Sequence, residues 1–234
     1  MSYLKERIFS KVSKPELVYW WILRIFLLTP LIFNWESNHE GIVFQLAANF
    51  AATFMWEIMQ LLPQKTMFAY VSPKFQNVTI LFIVAGTIFG AFLDWYYTIW
   101  WWDSMLHVFG GAMMMFVGYE LISAIQKRDQ SIIPLNILIL CAFGFSFFLG
   151  TVWELFEFFY DQFTLSDSQH WSYANNDGLR DLITTIPERF PIMDTMIDMT
   201  CNTFGTFVFT FILRRYPYNH KGKNDLNKKF GAND

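Results

Sequence analysis

The sequence predicts an all-α fold, a polytopic integral membrane bundle of about six transmembrane helices with both termini in the cytoplasm. Composition is the first reason, since 54% of the 234 residues are apolar and only 16% are charged. Soluble domains carry about 25% charged residues. The mean hydropathy is positive, at +0.27. The second reason is the length of the apolar runs, and the third is the placement of Lys and Arg between them.

Six apolar runs approach the length of about 20 residues that a helix needs to cross the hydrocarbon core. They lie at residues 17–33, 41–62, 77–100, 103–125, 132–160 and 192–213. Residues 1–16 then form a cytoplasmic N-terminal segment and residues 17–216 the membrane domain, while the basic tail 217–234 is predicted to be disordered. The connection 161–191 is an extracytoplasmic loop, either an ordinary link or a lid over a site beneath it.

Lys and Arg concentrate on one side of these runs, which is typical of cytoplasmic segments. Fourteen of the 17 lie in the N-terminal segment, in the links after the second and fourth runs, and in the residues that follow the sixth run. The sequence therefore predicts a multi-pass protein of the cell membrane (the inner or plasma membrane) in contact with the lipid bilayer. The net charge of −3, with no pooled basic residues, argues against a nucleic-acid partner. Nothing in the sequence indicates an oligomeric state.

Ionisable and amide side chains recur at the outer ends of the last four runs. Their spacings of three or four residues place each set on one face of its helix. Charged groups inside a membrane normally face the protein interior, and nearby glycines let helices approach closely on those same faces. We therefore expect one site, at one depth, near the outer leaflet. Its candidate members are Asp94, Asp103, His107, Glu154, Glu157, Asp161, Asp194, Asp198 and Asn202.

So many carboxyl groups cannot all stay ionised side by side unless a cation joins them or some of them hold protons. Oxygen ligands with one histidine suit a divalent metal such as Zn²⁺, Mn²⁺ or Mg²⁺. Asp103 is expected to orient the histidine or to act as a catalytic base, and Glu157 to share metal binding and catalysis. The predicted metal ligands are His107, Glu154, Glu157, Asp194 and Asp198, and the predicted substrate-binding residues are Asp94, Asp161, Asn202 and Trp101.

The same residues carry a resemblance to known proteins. The pattern Asp103-x3-His107-x2-Gly-Gly, then Trp153-Glu-x2-Glu157, then Asp194-Thr-x2-Asp198 resembles the YjdF-like family of uncharacterised bacterial inner-membrane proteins. More distantly it resembles the VanZ-like group, which is associated with glycopeptide resistance. The resemblance covers roughly residues 80–210. It implies a multi-span bundle and a cell-envelope role, and it supplies no settled activity.

Three functions stay open at this point, and the sequence does not decide whether the protein is an enzyme. The first is metal-dependent chemistry on a lipid or lipid-linked cell-envelope substrate. The second is a cation- or proton-coupled transporter, for which Glu57 and Glu120 would have to extend the polar path inward. The third is a non-catalytic envelope protein with a purely structural cluster. Separately, Arg24 and Glu57 lie at comparable depth and are expected to form a buried ion pair.

Overall fold

The computed structural model describes residues 8, 10–30, 40–164, 168–169 and 190–216, and within these residues the protein is all-helical without strands. A 3₁₀ turn, Met67–Tyr70, and a π-helical segment, Ala85–Phe92, supplement the α-helices. The α-helices are α1 (Lys14–Leu27), α2 (Glu40–Ala52), α3 (Met55–Leu61), α4 (Lys74–Val84), α5 (Trp95–Thr98), α6 (Trp102–Asp129), α7 (Leu135–Thr164) and α8 (Phe190–Arg215).

Four segments of the described chain are long and apolar enough to cross a membrane. They correspond to the last four predicted runs, so the prediction of an all-α protein with several membrane-spanning helices is confirmed for this part of the chain. The four segments are Lys74–Phe92, Trp102–Asp129, Leu135–Phe163 and Ile192–Arg215. The lid predicted within 161–191 and the tail 217–234 lie almost wholly outside the described residues.

The first two predicted runs form shorter helices in the described chain. The first run contains most of α1, which has 14 residues, and the second is divided into α2 and α3. The break falls at Thr53, whose carbonyl accepts a hydrogen bond from Nη2 of Arg24. Because a side chain has entered the helical hydrogen-bond ladder there, the helix is interrupted.

The third predicted run ends earlier than its apolar composition suggests. The helix that begins with α4 continues as the π-helical segment and stops at Phe92, instead of reaching Trp100. Asp94 follows with φ 61°, in the left-handed region that few residues other than glycine adopt. The chain reverses direction at this residue, and the aromatic residues that follow fold back towards the bundle.

Helices α6, α7 and α8 pack together through small residues. A Cβ atom at Gly111 of α6 would lie 2.7 Å from the backbone carbonyl carbon of Asn202 in α8, and one at Gly205 would lie 2.8 Å from that of Val108. Only glycine permits backbones this close. Hydrogen bonds join the same helices, since Ser146 of α7 donates to the Gly111 carbonyl at 3.0 Å. This packing holds the polar faces at the outer ends of the three helices against one another.

The other face of α6 packs against the N-terminal elements. Trp56 is fully buried there, and its indole N–H donates to the Val71 carbonyl at 2.9 Å. Glu120 of α6 is also fully buried and accepts a hydrogen bond from the Ser72 backbone N–H at 3.2 Å. The predicted ion pair between Arg24 and Glu57 is confirmed.

Candidate metal site at the outer end of α6, α7 and α8

His107 is the centre of the polar cluster. Its Nε2 atom lies 3.8 Å from Oδ1 of Asp103, one turn earlier on α6, and 3.7 Å from Oδ2 of Asp198 on α8. Its Nδ1 atom lies 4.0 Å from Oε1 of Glu154 on α7. One ligand atom each from Asp103, His107 and Asp198 lie within 4.8 Å of one another. Three helices therefore contribute to one group, as the sequence predicts.

The cluster is largely removed from solvent. The side chains of Asp198, Glu154 and His107 are 3%, 8% and 12% exposed, while Asp103 at 25% is the most accessible member. The Oε2 atom of Glu154 is buried without a hydrogen-bond partner in the described structure. A buried carboxylate oxygen without a partner is costly, so this atom needs a proton, a cation or a bound molecule.

Two further predicted metal ligands lie beside this group. Asp194 is buried on α8 and electrostatically close to Glu154 and Asp198. Glu157 is half-buried on α7, where its Oε1 atom accepts a hydrogen bond from the Trp153 indole at 2.9 Å. The group formed with His107 and Asp198 thus contains Asp103, which the sequence suggested as a base. Glu157 is instead directed partly towards Trp153.

The four residues predicted to bind substrate lie in different surroundings. Asp161 is buried at the end of α7 and accepts hydrogen bonds from the Ser168 and Gln169 backbone N–H groups at 2.8 and 3.0 Å. It thereby holds this turn of the long connection. Asp94 and Trp101 are exposed beyond the ends of their helices.

Asn202, the fourth of these residues, lies one helical turn below Asp198. Its side chain is wedged between Gly111 and Gly150, and a Cβ atom at Gly150 would lie 3.1 Å from its Cγ atom. Its Oδ1 atom is buried without a partner among the described residues. The small residues that the sequence marks as packing positions therefore serve here to admit an amide side chain between the helices.

The placement of Tyr96 is one that sequence reasoning missed, because the aromatic run from 95 to 102 is typical of an interface belt. Its ring folds back onto the π-helical segment, where a Cβ atom at Gly90 would lie 2.7 Å from Tyr96 Cζ. The signal that could have located it is the pair Gly86 and Gly90, four residues apart, which leaves a groove for a large side chain.

Comparison with known proteins agrees with this architecture. Residues 18–219 match the family described as "Predicted membrane protein (DUF2238)". An uncharacterized protein of Thermotoga maritima is 27% identical over 129 residues. That alignment covers 55% of this chain and 56% of the relative, so the chain spans little more than half of the relative's length. No solved structure matches. Since the family match includes most of the sequence, the chain belongs to the DUF2238 family of predicted membrane proteins.

Proposed function

We propose that the protein binds a divalent metal ion through Asp103, the Nε2 atom of His107, and Asp198. The spacing of these atoms carries the proposal. Separations of 3.7 and 3.8 Å are too long for direct hydrogen bonds. Two ligands bound to one ion at about 2.0–2.2 Å lie about 3.4 Å apart at the tetrahedral angle and at most about 4.4 Å apart. The His107 Nε2 atom is thus spaced to share an ion with each aspartate, and the three ligand atoms lie within 4.8 Å of one another.

Glu154 completes the arrangement from the other side of the imidazole. A metal-binding histidine usually donates its second ring N–H to a carboxylate, which fixes the ring orientation. Glu154 Oε1 lies 4.0 Å from His107 Nδ1, so a shift of about 1 Å would form that hydrogen bond. We assign Glu154 this orienting role, with Nε2 as the atom that binds the metal.

The charge balance of the site also favours a cation. Among the described residues, arginine side chains form their ion pairs elsewhere, Arg24 with Glu57 and Arg128 with Asp129. Around the cluster, the described ion pairs of Asp103, Glu154 and Asp198 all involve His107. The carboxylates in this poorly solvated region repel one another, and a single imidazole cannot balance their combined charge. A divalent ion converts this repulsion into attraction.

The number of protein ligands is that of a catalytic metal site, not of a structural one. Three protein ligands leave at least one coordination position for water or substrate, as in catalytic metal sites, whereas structural sites have four protein ligands. A metal here would polarise a phosphoryl or carbonyl oxygen or activate water. We assign the role of general base to Glu157, which is electrostatically close to Glu154 and Asp103. We infer that the substrate is a lipid or lipid-linked cell-envelope molecule, which the VanZ-like resemblance also favours.

The proposal includes the orientation of the protein in the membrane. Asp103 and His107 open α6, while Lys127 and Arg128 close it, which separates the two ends by about 30 Å at 1.5 Å per residue. Arg214 and Arg215 close α8. With these basic ends in the cytoplasm, the site faces the outer leaflet, and six spans would place both termini inside.

Metal analysis of the detergent-purified protein tests the metal site. After equilibrium dialysis against Zn²⁺, Mn²⁺ or Mg²⁺, we expect close to one bound ion per chain of wild-type protein for at least one of these metals. The double substitution Asp103→Asn/Asp198→Asn should lose this ion while retaining helical circular dichroism. Asp129→Asn, at the opposite end of α6, is the matched control and should bind normally. Failure of the wild-type protein to bind any of the three ions would refute the site.

The catalytic use needs a separate assay. Metal-loaded protein in mixed micelles would be incubated with long-chain lipid phosphates and pyrophosphates, and released phosphate measured. We expect turnover that Glu157→Gln reduces while metal content stays unchanged. Metal binding without turnover on any of these lipids would leave the metal site in place and reject this chemistry.

The transporter alternative has less support from the described contacts. A path through the membrane would require acids free to exchange cations along it. Glu57 is paired with Arg24, and Glu120 accepts a backbone hydrogen bond from Ser72 on the opposite face of α6 from His107. A non-catalytic role would be favoured if the double substitution above left both metal content and cell-envelope phenotypes unchanged.

A further inference from the structure

A pocket opens between α7 and α8, one helical turn below the proposed metal site. It measures about 210 Å³, counted to its open mouth. Gly150 of α7 precedes Glu154 by four residues, and Asn202 of α8 follows Asp198 by four. The pocket therefore continues the site about 6 Å deeper, at 1.5 Å per residue. The other residues of its walls include Phe147, Thr151, Met199 and Thr203.

The mouth of the pocket lies on the outer surface of the described helices. Phe147 is 37% exposed there, and Thr151 is exposed as well. Both belong to Leu135–Phe163, and Asn202 belongs to Ile192–Arg215, two of the segments that are long and apolar enough to cross a membrane. A lipid can therefore reach the pocket sideways from the bilayer.

The threonine hydroxyls of the pocket donate to backbone carbonyls of their own helices, those of Thr151, Thr203 and Thr206 at 3.0, 2.7 and 2.9 Å. The Asn202 side chain differs, because no hydrogen bond joins it to another described residue. Its amide nitrogen lies against Gly150, in the wall of the pocket, whereas its Oδ1 atom is buried against Gly111. The amide N–H group is thus the donor that the pocket offers to a ligand.

Helix packing does not account for an asparagine at position 202. A buried amide oxygen without a partner costs free energy, and Gly111 and Gly150 must both lack a Cβ atom to admit the side chain. A leucine of similar size would fill the space without an unsatisfied polar group. Contact with a ligand explains the amide instead. Within a bilayer, the hydrogen-bond acceptors that acyl lipids supply next to their chains are ester carbonyls.

We propose that the pocket binds the acyl end of a glycerolipid phosphate, with the Asn202 amide donating a hydrogen bond to an ester carbonyl. This inference rests on the proposed function, which places the phosphoryl group of the same lipid at the metal site. In a glycerolipid only the glycerol backbone separates phosphate from ester, a distance on the order of one helical turn. A polyprenyl phosphate carries no carbonyl at that distance. The substrate class is therefore a glycerolipid phosphate and not a polyprenyl phosphate.

Competition between two synthetic lipids tests the proposal. Phosphatidic acid carries acyl esters, whereas its dialkyl ether analogue has the same phosphate and chains but no carbonyl. Both would compete for purified protein in mixed micelles containing Mn²⁺, with the bound lipid identified by native mass spectrometry. We expect wild-type protein to prefer the ester lipid by about 2- to 10-fold, the contribution of one hydrogen bond. Asn202→Leu keeps the volume of the side chain and should remove this preference.

Two threonine variants test occupancy of the pocket separately from the hydrogen bond. Thr203→Phe fills the pocket with an aromatic ring and should weaken binding of both lipids. Thr200→Phe is the matched control, because Thr200 is also on α8 and also donates to its own helix at 2.7 Å, but is exposed outside the pocket. It should bind both lipids as wild-type protein does.

Equal affinity of wild-type protein for the two lipids would overturn the inference, and so would an ester preference that survives Asn202→Leu. Unchanged binding in Thr203→Phe would also overturn it. Metal content, measured on the same samples, tests the proposed function separately. Protein that contains the metal but shows no ester preference would leave the metal site standing without the pocket. Wild-type protein without bound metal would overturn the proposed function, whatever its lipid preference.

Discussion

Buried charged side chains are arranged differently in the N-terminal half and in the α6–α8 bundle. In the N-terminal half, Arg24 is 2% exposed and pairs with Glu57, while the ring of Phe54 covers the guanidinium at 3.7 Å. In the bundle, several acids surround one histidine at distances too long for direct hydrogen bonds. The first arrangement is a paired charge within the fold, whereas the spacing in the second fits the metal ion that we propose.

Removal of the buried arginine should have the largest effect on stability. Arg24→Met leaves the Glu57 carboxylate in a poorly solvated region without a countercharge, and loss of one partner of a buried pair costs about 3–5 kcal/mol. Reversible unfolding in mixed detergent micelles would measure the free energy of unfolding.

Two comparisons sharpen that experiment. The double substitution Arg24→Met/Glu57→Met should recover part of the loss, because no uncompensated charge remains. Arg128→Met breaks an exposed pair with Asp129 and should leave stability unchanged within error. If Arg24→Met and Arg128→Met behaved alike, the contrast between the two halves would be lost.

Glycine substitution in the bundle should have the next largest effect. Gly111→Ala places a methyl group against the Asn202 backbone carbonyl, so α6 and α8 must separate, at a cost of about 1–3 kcal/mol. The same separation moves His107 away from Asp198, and metal binding should weaken in parallel. Gly144→Ala on α7 is the control, since nothing lies within 4 Å of its added Cβ atom. Equal stability of the two variants would contradict the close helix packing.

Neutralisation of a site acid should have a smaller effect, of opposite sign. In metal-free protein, Asp198→Asn relieves repulsion from neighbouring carboxylates and should raise the free energy of unfolding by about 1 kcal/mol, as substitutions at strained functional sites often do. The same variant should lose metal-induced stabilisation. A large destabilisation of the metal-free protein would instead assign Asp198 a structural role like that of Arg24.

The smallest effect on stability is expected at the start of α1, where Ser13 and Glu16 form a capping box. The Ser13 backbone N–H donates to the Glu16 carboxylate at 2.9 Å and lowers the pKa of that group below its usual 4.5. Because the folded-state pKa is the lower one, this contribution is complete above pH 4.5 and is lost as pH falls through the folded-state value. Glu16→Gln should lower stability by roughly 0.5 kcal/mol at pH 7. A difference from wild type that persisted unchanged at pH 3 would contradict this origin.

Much of the fold could be predicted because hydrocarbon thickness sets helix length and because 3.6-residue periodicity groups side chains on one face. These two constraints sufficed to bring His107, Glu154 and Asp198 together from three helices. They carry no information on the reversal at Asp94, since a left-handed aspartate has no distinctive sequence pattern. The π-helical segment could not be predicted from the sequence either, because its composition is that of an ordinary apolar helix. Tyr96 was missed for both reasons.

The sequence alone also could not predict which of the neighbouring acids approaches His107. Glu154 and Glu157 are three residues apart and both polar, yet in the structure one approaches His107 and the other accepts a hydrogen bond from Trp153. Side-chain direction within a helix turn depends on packing across helices, which spacing alone does not specify. Asp103 changed from expected base to expected ligand for the same reason, since only the position of α8 places Asp198 beside it.

X-ray absorption at the zinc edge, on the full chain loaded with one equivalent of Zn²⁺, tests the central claim most directly. The proposed site predicts nitrogen and oxygen ligands at about 2.0–2.2 Å, with the scattering signature of one imidazole that disappears in His107→Ala. A sulfur ligand at about 2.3 Å, which Cys201 on α8 would have to provide, would contradict it. So would a zinc spectrum that the His107→Ala substitution leaves unchanged.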